Sequence, residues 1–371
     1  MTSLLSESGR PMACRFADSD VLAGARIQSR LSNMTTPVVN NRDMFKIPTP
    51  KLLRVSYFWS WHGSRSLPCQ EATQAMKPAI NGTKHETPMQ RVLVAGATGY
   101  LGEFVAQELK ARGHFVRALA RSPEKLERIR DCLDEAVEAE VTRPETLAQV
   151  CNGIDVVFSS VGITRQKDGM TFSDVDYQGN KNLLEAAIRA GVKKFVYVSV
   201  LNGPNLRHLD IVGAHEDFVA ELRASGIDYA VMRPTGYFSD MGEMLEMARR
   251  GRVWLIGSGK RRVNPIHGAD LAVACADAVE GAEGEIEVGG PETMTWEEVA
   301  DLAFGVLGKP VKMTRIPEPL MWWAVRLVRL FSRHQGELLA FFTTMATTDV
   351  VAPSTGTHTL EDHFRQLAGP S

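Results

Sequence analysis

Arg91-Val92-Leu93-Val94-Ala95-Gly96-Ala97-Thr98-Gly99-Tyr100-Leu101-Gly102 is the stretch that decides the fold. A short, β-rich apolar run ends at Gly96, and an amphipathic run over residues 104–112 follows. Between them stands G-x-x-G-x-x-G. Gly96 permits a tight turn out of the strand, and Gly99 removes a Cβ where a ligand must approach the backbone. Gly102 lets the next helix pack closely. The first N–H groups of that helix, with its positive dipole end, then suit a pyrophosphate. A glycine turn that leaves a strand and opens a helix is the context that gives such a motif meaning. Gly96, Thr98, Gly99, Tyr100, Leu101 and Gly102 are therefore the candidate dinucleotide cradle, with Ser160 beside them at the end of a later strand.

Outward from this turn, short apolar runs alternate with helical ones. Strands are expected at 115–121, 136–141, 155–161, 195–200 and 229–233, and helices at 104–112, 123–132, 180–190 and 215–224. Ser122 and Pro123 open the second helix as N-cap and first helical residue, and Gly191 closes the third. Alternation of this kind predicts an α/β fold: a doubly wound parallel sheet of Rossmann type, covered on both faces. Beyond Pro234 the pattern loosens. Helices are expected at 239–250, 268–280 and 295–307, with short strands at 253–256 and 285–288. The expected organisation is a low-periodicity extension over 1–88, a nucleotide-binding domain over 89–234, and a small α+β substrate-side subdomain with C-terminal helices over 235–371.

The second strand bears on cofactor choice. It ends Arg117-Ala118-Leu119-Ala120-Arg121-Ser122. An NAD enzyme usually places Asp or Glu there, about 20 residues beyond the turn, to hold the ribose 2′-hydroxyl. Arg121 offers a guanidinium suited to a 2′-phosphate, so NADPH is the expected cofactor.

These features resemble the atypical short-chain dehydrogenase/reductase family over about residues 91–331. Further carriers are Asp176-Tyr177-Gln178-Gly179-Asn180-Lys181-Asn182-Leu183-Leu184-Glu185, Tyr197-Val198-Ser199 and Met232-Arg233-Pro234-Thr235-Gly236-Tyr237-Phe238. Gly289-Gly290-Pro291 and Leu307-Gly308-Lys309-Pro310 look like its 3,8-divinyl protochlorophyllide 8-vinyl reductase branch. Such a resemblance implies hydride transfer from NADPH to a vinyl group of a divinyl chlorophyllide-like substrate. Non-catalytic NADP(H)-binding redox sensors and complex-assembly factors share the same pattern and stand as the alternative.

The family's proton donor is a Tyr-x-x-x-Lys pair placed after the fifth strand. Here the string is Tyr177-x-x-x-Lys181, and it precedes that strand. Where the vinyl-reductase branch has lysine, this chain has His215, which can donate a proton near neutral pH. Ser199, at the carboxyl end of the fifth strand, is placed to hydrogen-bond a substrate. His215, Ser199, Tyr177 and Lys181 are thus the candidate catalytic residues. Arg233 to Phe238 are expected on the substrate side, His267 resembles a family position near the nicotinamide, and Asp270 is expected as a first-turn acid.

Composition bounds the rest. Apolar residues are 44% and charged residues 23%, so a packed globule is expected. A net charge of −2 leaves no basic excess for coating nucleic acid. The five cysteines and nine histidines show no metal-ligand spacing, so no metal is expected. Scattered cysteines point to a reducing, cytoplasmic compartment. If residues 1–88, where Lys and Arg outnumber Asp and Glu and prolines recur, are a transit peptide, the compartment is a plastid. A chain starting at Met89 would keep the fold. Trp322, Trp323, Val325, Leu327, Val328, Leu330 and Phe331 form an apolar helix that carries Arg326 and Arg329. Peripheral membrane contact and a flat apolar small-molecule substrate are two readings of it, and a buried helix or an oligomer contact is the third.

Overall fold

Every apolar run before residue 235 read as a strand finds a neighbour in one sheet. A computed structural model of the chain describes residues 88–163 and 169–369. The extension expected over 1–88 lies outside the described residues except for Pro88. Strands β1 (Arg91–Ala95), β2 (Phe115–Ala120), β3 (Glu135–Glu138), β4 (Val156–Ser159), β5 (Lys194–Val198) and β6 (Asp228–Pro234) pair in the order β3-β2-β1-β4-β5-β6, all parallel. Chain order reverses between β1 and β4. That reversal opens a crevice at the carboxyl ends of those strands, where ligands sit in sheets of this kind.

The strands read as continuous apolar runs because both faces are covered. Val92, Val94, Val116, Phe158, Val196 and Met232 point to one face. Helices α1 (Tyr100–Ala111) and α5 (Gly268–Glu280) cover it. Leu93, Ala95, Val157, Phe195, Tyr197 and Val231 point to the other. Helices α2 (Asn180–Ala190) and α3 (Asp210–Ala224) cover that one. Gly191 ends α2 at φ 74°, the left-handed conformation a C-terminal glycine supplies.

Three local expectations change. Residues Pro123–Cys132 form 3-10 turns broken at Ile129, not an α-helix. Helix α2 is preceded by a wider turn over Ser173–Gly179 with i→i+5 bonding, so Tyr177 lies on a π-helical segment. Helix α3 starts at Asp210, so His215 stands in its second turn rather than at its start.

The boundary at residue 234 also changes. After α4 (Phe238–Arg249), β7 (Val253–Ile256), β8 (Arg262–Val263) and α5, strand β9 (Gly284–Val288) returns to pair with β6 as a seventh parallel strand. It covers an apolar edge that β6 would otherwise expose. Residues beyond 235 therefore complete the nucleotide-binding sheet, and the described residues fall in one compact unit. The remainder builds a second core from α4, β7, α6 (Trp296–Val306) and α9 (Leu360–Ala368) around Phe238, Leu245, Phe304 and Phe364. Strand β10 (Met294–Thr295) pairs with β8, and β11 (Met313–Ile316) pairs with β7. Helices α7 (Glu318–Phe331) and α8 (Arg333–Thr347) form a hairpin. Only Val325 of α7 is buried, so the buried-helix reading of that segment does not hold.

Candidate functional site

The glycine turn leaves β1 at the switch point. Gly96 has φ 89°, and a Cβ there would lie 2.7 Å from Ser160 Oγ and 3.1 Å from the Ser160 carbonyl. The ends of β1 and β4 thus touch through a position only glycine fills. The Gly99 N–H donates to Gly96 O at 2.9 Å and closes the turn. A Cβ on Gly102 would lie 2.2 Å from Gly96 O, so α1 starts directly against the turn. Gly99, the N-cap of α1, brings no capping side chain. The first helical N–H groups, which have no partner within a helix, are left to an outside acceptor. Thr98 is half-buried and Gly99 exposed at this opening.

Two members of the expected cradle contribute backbone alone. Leu101 packs its side chain into the core at 4% exposure. The Tyr100 hydroxyl accepts from Gly268 N at 3.0 Å, with the ring packed edge-on against Phe104. Burial pushes that phenol's pKa well up, so it stays protonated. Arg121 follows β2 directly, its side chain 63% exposed and Nη1 3.9 Å from Glu140. These residues fit a dinucleotide: a tight turn, an uncapped helix start and a guanidinium at the second strand's end.

Ser199 does not face a cleft. Its hydroxyl is buried and donates to Glu216 Oε1 at 2.9 Å. Arg233 clamps the same carboxylate with two bonds, Nη1 to Oε1 at 2.7 Å and Nη2 to Oε2 at 3.0 Å. Its Nε donates to Glu285 Oε2 on β9 at 2.7 Å. Ser199 and Arg233 are thus corrected from substrate contacts to members of a buried ion-pair network that ties α3, β6 and β9 together.

Tyr177 and Lys181 stay together, but around Glu221 of α3. The Tyr177 hydroxyl donates to Glu221 Oε1 at 2.9 Å, as does Lys181 Nζ at 2.9 Å, with Nζ 3.4 Å from the phenol oxygen. Hydrogen bonds from Lys181 and Tyr177 hold the Glu221 carboxyl below its usual range, and the bond to Glu221, with the one to Tyr177, raises the lysine above its own. The pair therefore ties α2 and the segment before it to α3 through Glu221.

His215 has a different setting. Its Nδ1 lies 2.5 Å from the hydroxyl of fully buried Tyr197 on β5. Its Nε2 lies 3.3 Å from Asp176 Oδ1, without the alignment of a hydrogen bond, so that buried oxygen has no bonded partner. Asp176 Oδ2 accepts from Ile163 N at 3.2 Å. Burial lowers the His215 pKa to about 4 and raises that of Asp176 well above the usual carboxylate range. Burial also raises Tyr197, so its O–H stays protonated and donates to Nδ1, which puts the ring proton on Nε2. Gly162, two residues past Ser160, passes over the pair. A Cβ there would meet Asp176 Oδ1 at 2.9 Å and His215 Cε1 at 3.7 Å. The segment leaving β4 therefore links the glycine turn to His215.

Sequence reasoning missed Asp176, Tyr197 and Glu216. Two of them left a signal. Asp176 shares a helical face with Asn180, Leu183 and Ala187, and Glu216 shares one with Val212 and Val219. A carboxyl on a buried stripe requires a buried partner. His267 serves as N-cap of α5, its Nδ1 accepting from Ala269 N at 3.2 Å and its ring stacked on His358. Asp270 accepts from the Thr357 and His358 N–H groups and lies 2.7 Å from His358 Nδ1, so it is more than a first-turn acid. Among the described residues no cluster of metal-ligating side chains occurs.

A family model described as NAD(P)H-binding matches residues 96–281. The chain belongs to this family, among the atypical short-chain dehydrogenase/reductases. The photosystem II assembly factor Ycf39 of Synechocystis is 28% identical over 250 residues, covering 66% of this chain and 74% of that protein. A chloroplastic divinyl chlorophyllide a 8-vinyl-reductase of Zea mays is 28% identical over 316 residues, covering 74% and 79%. Among solved structures, the Escherichia coli NADPH-dependent quinone oxidoreductase QOR2 superposes with a TM-score of 0.62 at 22% identity, covering 75% of this chain and all of that one. That likeness shows the fold of this NAD(P)H-binding protein.

Proposed function

We propose that the protein is an NADPH-dependent reductase acting on a conjugated, largely apolar small molecule, with the His215–Asp176 pair as the proton source. The observation that carries this is the His215–Asp176–Tyr197 cluster, reached from the glycine turn through Ser160 and Gly162. A bound nicotinamide supplies the hydride. The backbone of Gly96 to Gly102 holds the pyrophosphate, and Arg121 holds the 2′-phosphate. Tyr197 fixes the imidazole through Nδ1, so the Nε2–H faces Asp176. With the ring neutral, the proton comes from Asp176, which burial keeps protonated, and the His215 Nε2–H then stabilises the carboxylate left behind. A vinyl group on a tetrapyrrole is the substrate that the maize relative's name supports. A non-catalytic NADP(H)-binding assembly factor or redox sensor is the second reading. The loss of Ser199 to the Glu216–Arg233 network and the similarity to Ycf39 favour it.

The test is NADPH oxidation with a divinyl chlorophyllide, wild type against His215→Ala and Tyr177→Phe. His215→Ala is expected to lower turnover by about 100-fold or more with NADPH affinity unchanged. Tyr177→Phe is expected to stay within about threefold of wild type, because the hydroxyl is committed to Glu221. A normal His215→Ala enzyme overturns the donor assignment. NADPH binding without oxidation by the wild type supports the second reading.

A further inference from the structure

Helix α7 is apolar on the side that faces away from the protein. Val325 is its buried residue, whereas Leu320, Trp323, Leu330 and Phe331 are 54%, 61%, 80% and 84% exposed. At 100° per residue, these four and Leu327 fall within an arc of about 100°, opposite Val325. No charge interrupts that arc. Four of the nine large hydrophobic side chains exposed among the described residues therefore lie on this one helix face.

Charge near the face is mainly basic. Between residues 309 and 334 stand six Lys and Arg against the single acid Glu318. Arg315, Arg329 and Arg333 pair with Glu297, Glu337 and Asp210, and Lys309, Lys312 and Arg326 are the basic groups of the segment outside those pairs. Arg326 flanks the arc and is exposed. Arg333 pairs with Asp210 yet keeps 81% of its side chain in solvent. No helix among the described residues is long and apolar enough to cross a membrane. A convex helix face also offers a small molecule no concavity. An outward stripe of Leu, Trp and Phe set in a basic field matches one surface: an apolar layer beneath anionic headgroups.

We infer that the outer face of α7 docks the protein on an anionic lipid bilayer. Leu330 and Phe331 enter the acyl boundary, Trp323 sits at the headgroup level, and Arg326 with its basic neighbours meets the lipid charge. This inference is independent of the reductase reading, since α7 supplies no residue to the glycine turn or the His215 cluster.

The experiment is co-sedimentation of the full chain with vesicles of phosphatidylcholine, with and without phosphatidylglycerol. The wild type is expected to bind the anionic vesicles, with Trp emission shifted to the blue. About 0.5 M salt is expected to weaken binding strongly. The Leu330→Ser/Phe331→Ser double variant is expected to bind at least about tenfold more weakly. Arg326→Glu, which leaves the apolar stripe intact, is expected to bind more weakly on anionic vesicles alone. An unchanged melting temperature and NADPH affinity show that each variant is folded. Equal binding by wild type and both variants, or no vesicle binding by the wild type, overturns the inference. A concentration-dependent dimer that the double variant abolishes overturns it too, because a second copy would then cover the face.

Discussion

Replacing Gly102 by alanine should remove nucleotide binding without removing the fold. The added Cβ would lie 2.2 Å from Gly96 O, 2.6 Å from Gly96 C and 2.9 Å from Ala97 Cα. All three atoms are backbone, so no flexible side chain can give way. The start of α1 must move out from the turn by about 1 Å to restore ordinary contact. Overpacking of this kind costs about 1–3 kcal/mol of stability. In a domain of this size that is a few degrees of melting temperature for each kcal/mol. A displacement of about 1 Å also misaims the N–H groups that hold the pyrophosphate, at about 100-fold in affinity or about 2.8 kcal/mol. Gly305 is the control. It lies exposed in α6, and a Cβ there meets nothing within 4 Å. Gly305→Ala should stabilise the protein by about 0.5–1 kcal/mol and leave binding unchanged. Calorimetric titration with NADPH and thermal melts of the three proteins read both effects. A folded Gly102→Ala protein that binds NADPH as tightly as wild type would falsify the placement of the cofactor on this turn.

Two further outcomes follow from named residues. Wild type should bind NADPH more tightly than NADH, and Arg121→Ala should erase most of that preference while sparing NADH; equal affinities in wild type would remove Arg121 from the 2′-phosphate. Burial lowers His215, His267 and His363 from 6.5 to about 4. These are bases whose folded pKa is depressed, so the unfolded chain takes up protons first and stability falls as pH drops from 6.5 towards about 4. His358, raised by its bond to Asp270, works the other way. The melting temperature should therefore fall over that interval, and fall less in His363→Gln, while an identical pH profile in that variant would show that His363 does not couple protons to folding.

The sheet was legible because its signals are local. Strands β1, β2, β4, β5 and β6 are largely apolar runs buried on both faces. Gly96 and Gly191 take the left-handed backbone that their positions in the sequence required. What failed to show were features set by distant chain. Nothing in the run Glu285-Ile286-Glu287-Val288 says that it lies beside β6 rather than in a separate subdomain. Its two glutamates read as exposed, and the Glu285 carboxylate finds Arg233 only once the sheet is built. Residues 123–132 carried a good helix start, yet the link between the paired strands β2 and β3 holds 3-10 turns instead.

The site divides along the same line. The glycine turn could be read because every part of it lies within a few residues, and the geometry that needs glycine is steric. The chemistry could not, because a side chain's role depends on which other element it meets. Tyr177 and Lys181 have the spacing of a donor pair, but both meet Glu221. Ser199 has the position of a substrate contact, but Glu216 and Arg233 surround it. His215 has neither a family spacing nor an exposed ring, yet it meets Asp176 Oδ1, the one buried carboxyl oxygen without a bonded partner among the described residues. A buried, unpartnered acid is costly and persists where something else compensates for it. In the reductase proposed above this acid is the proton source, and its missing partner, more than the spacing of any motif, is the argument for a catalytic role of the His215–Asp176 pair.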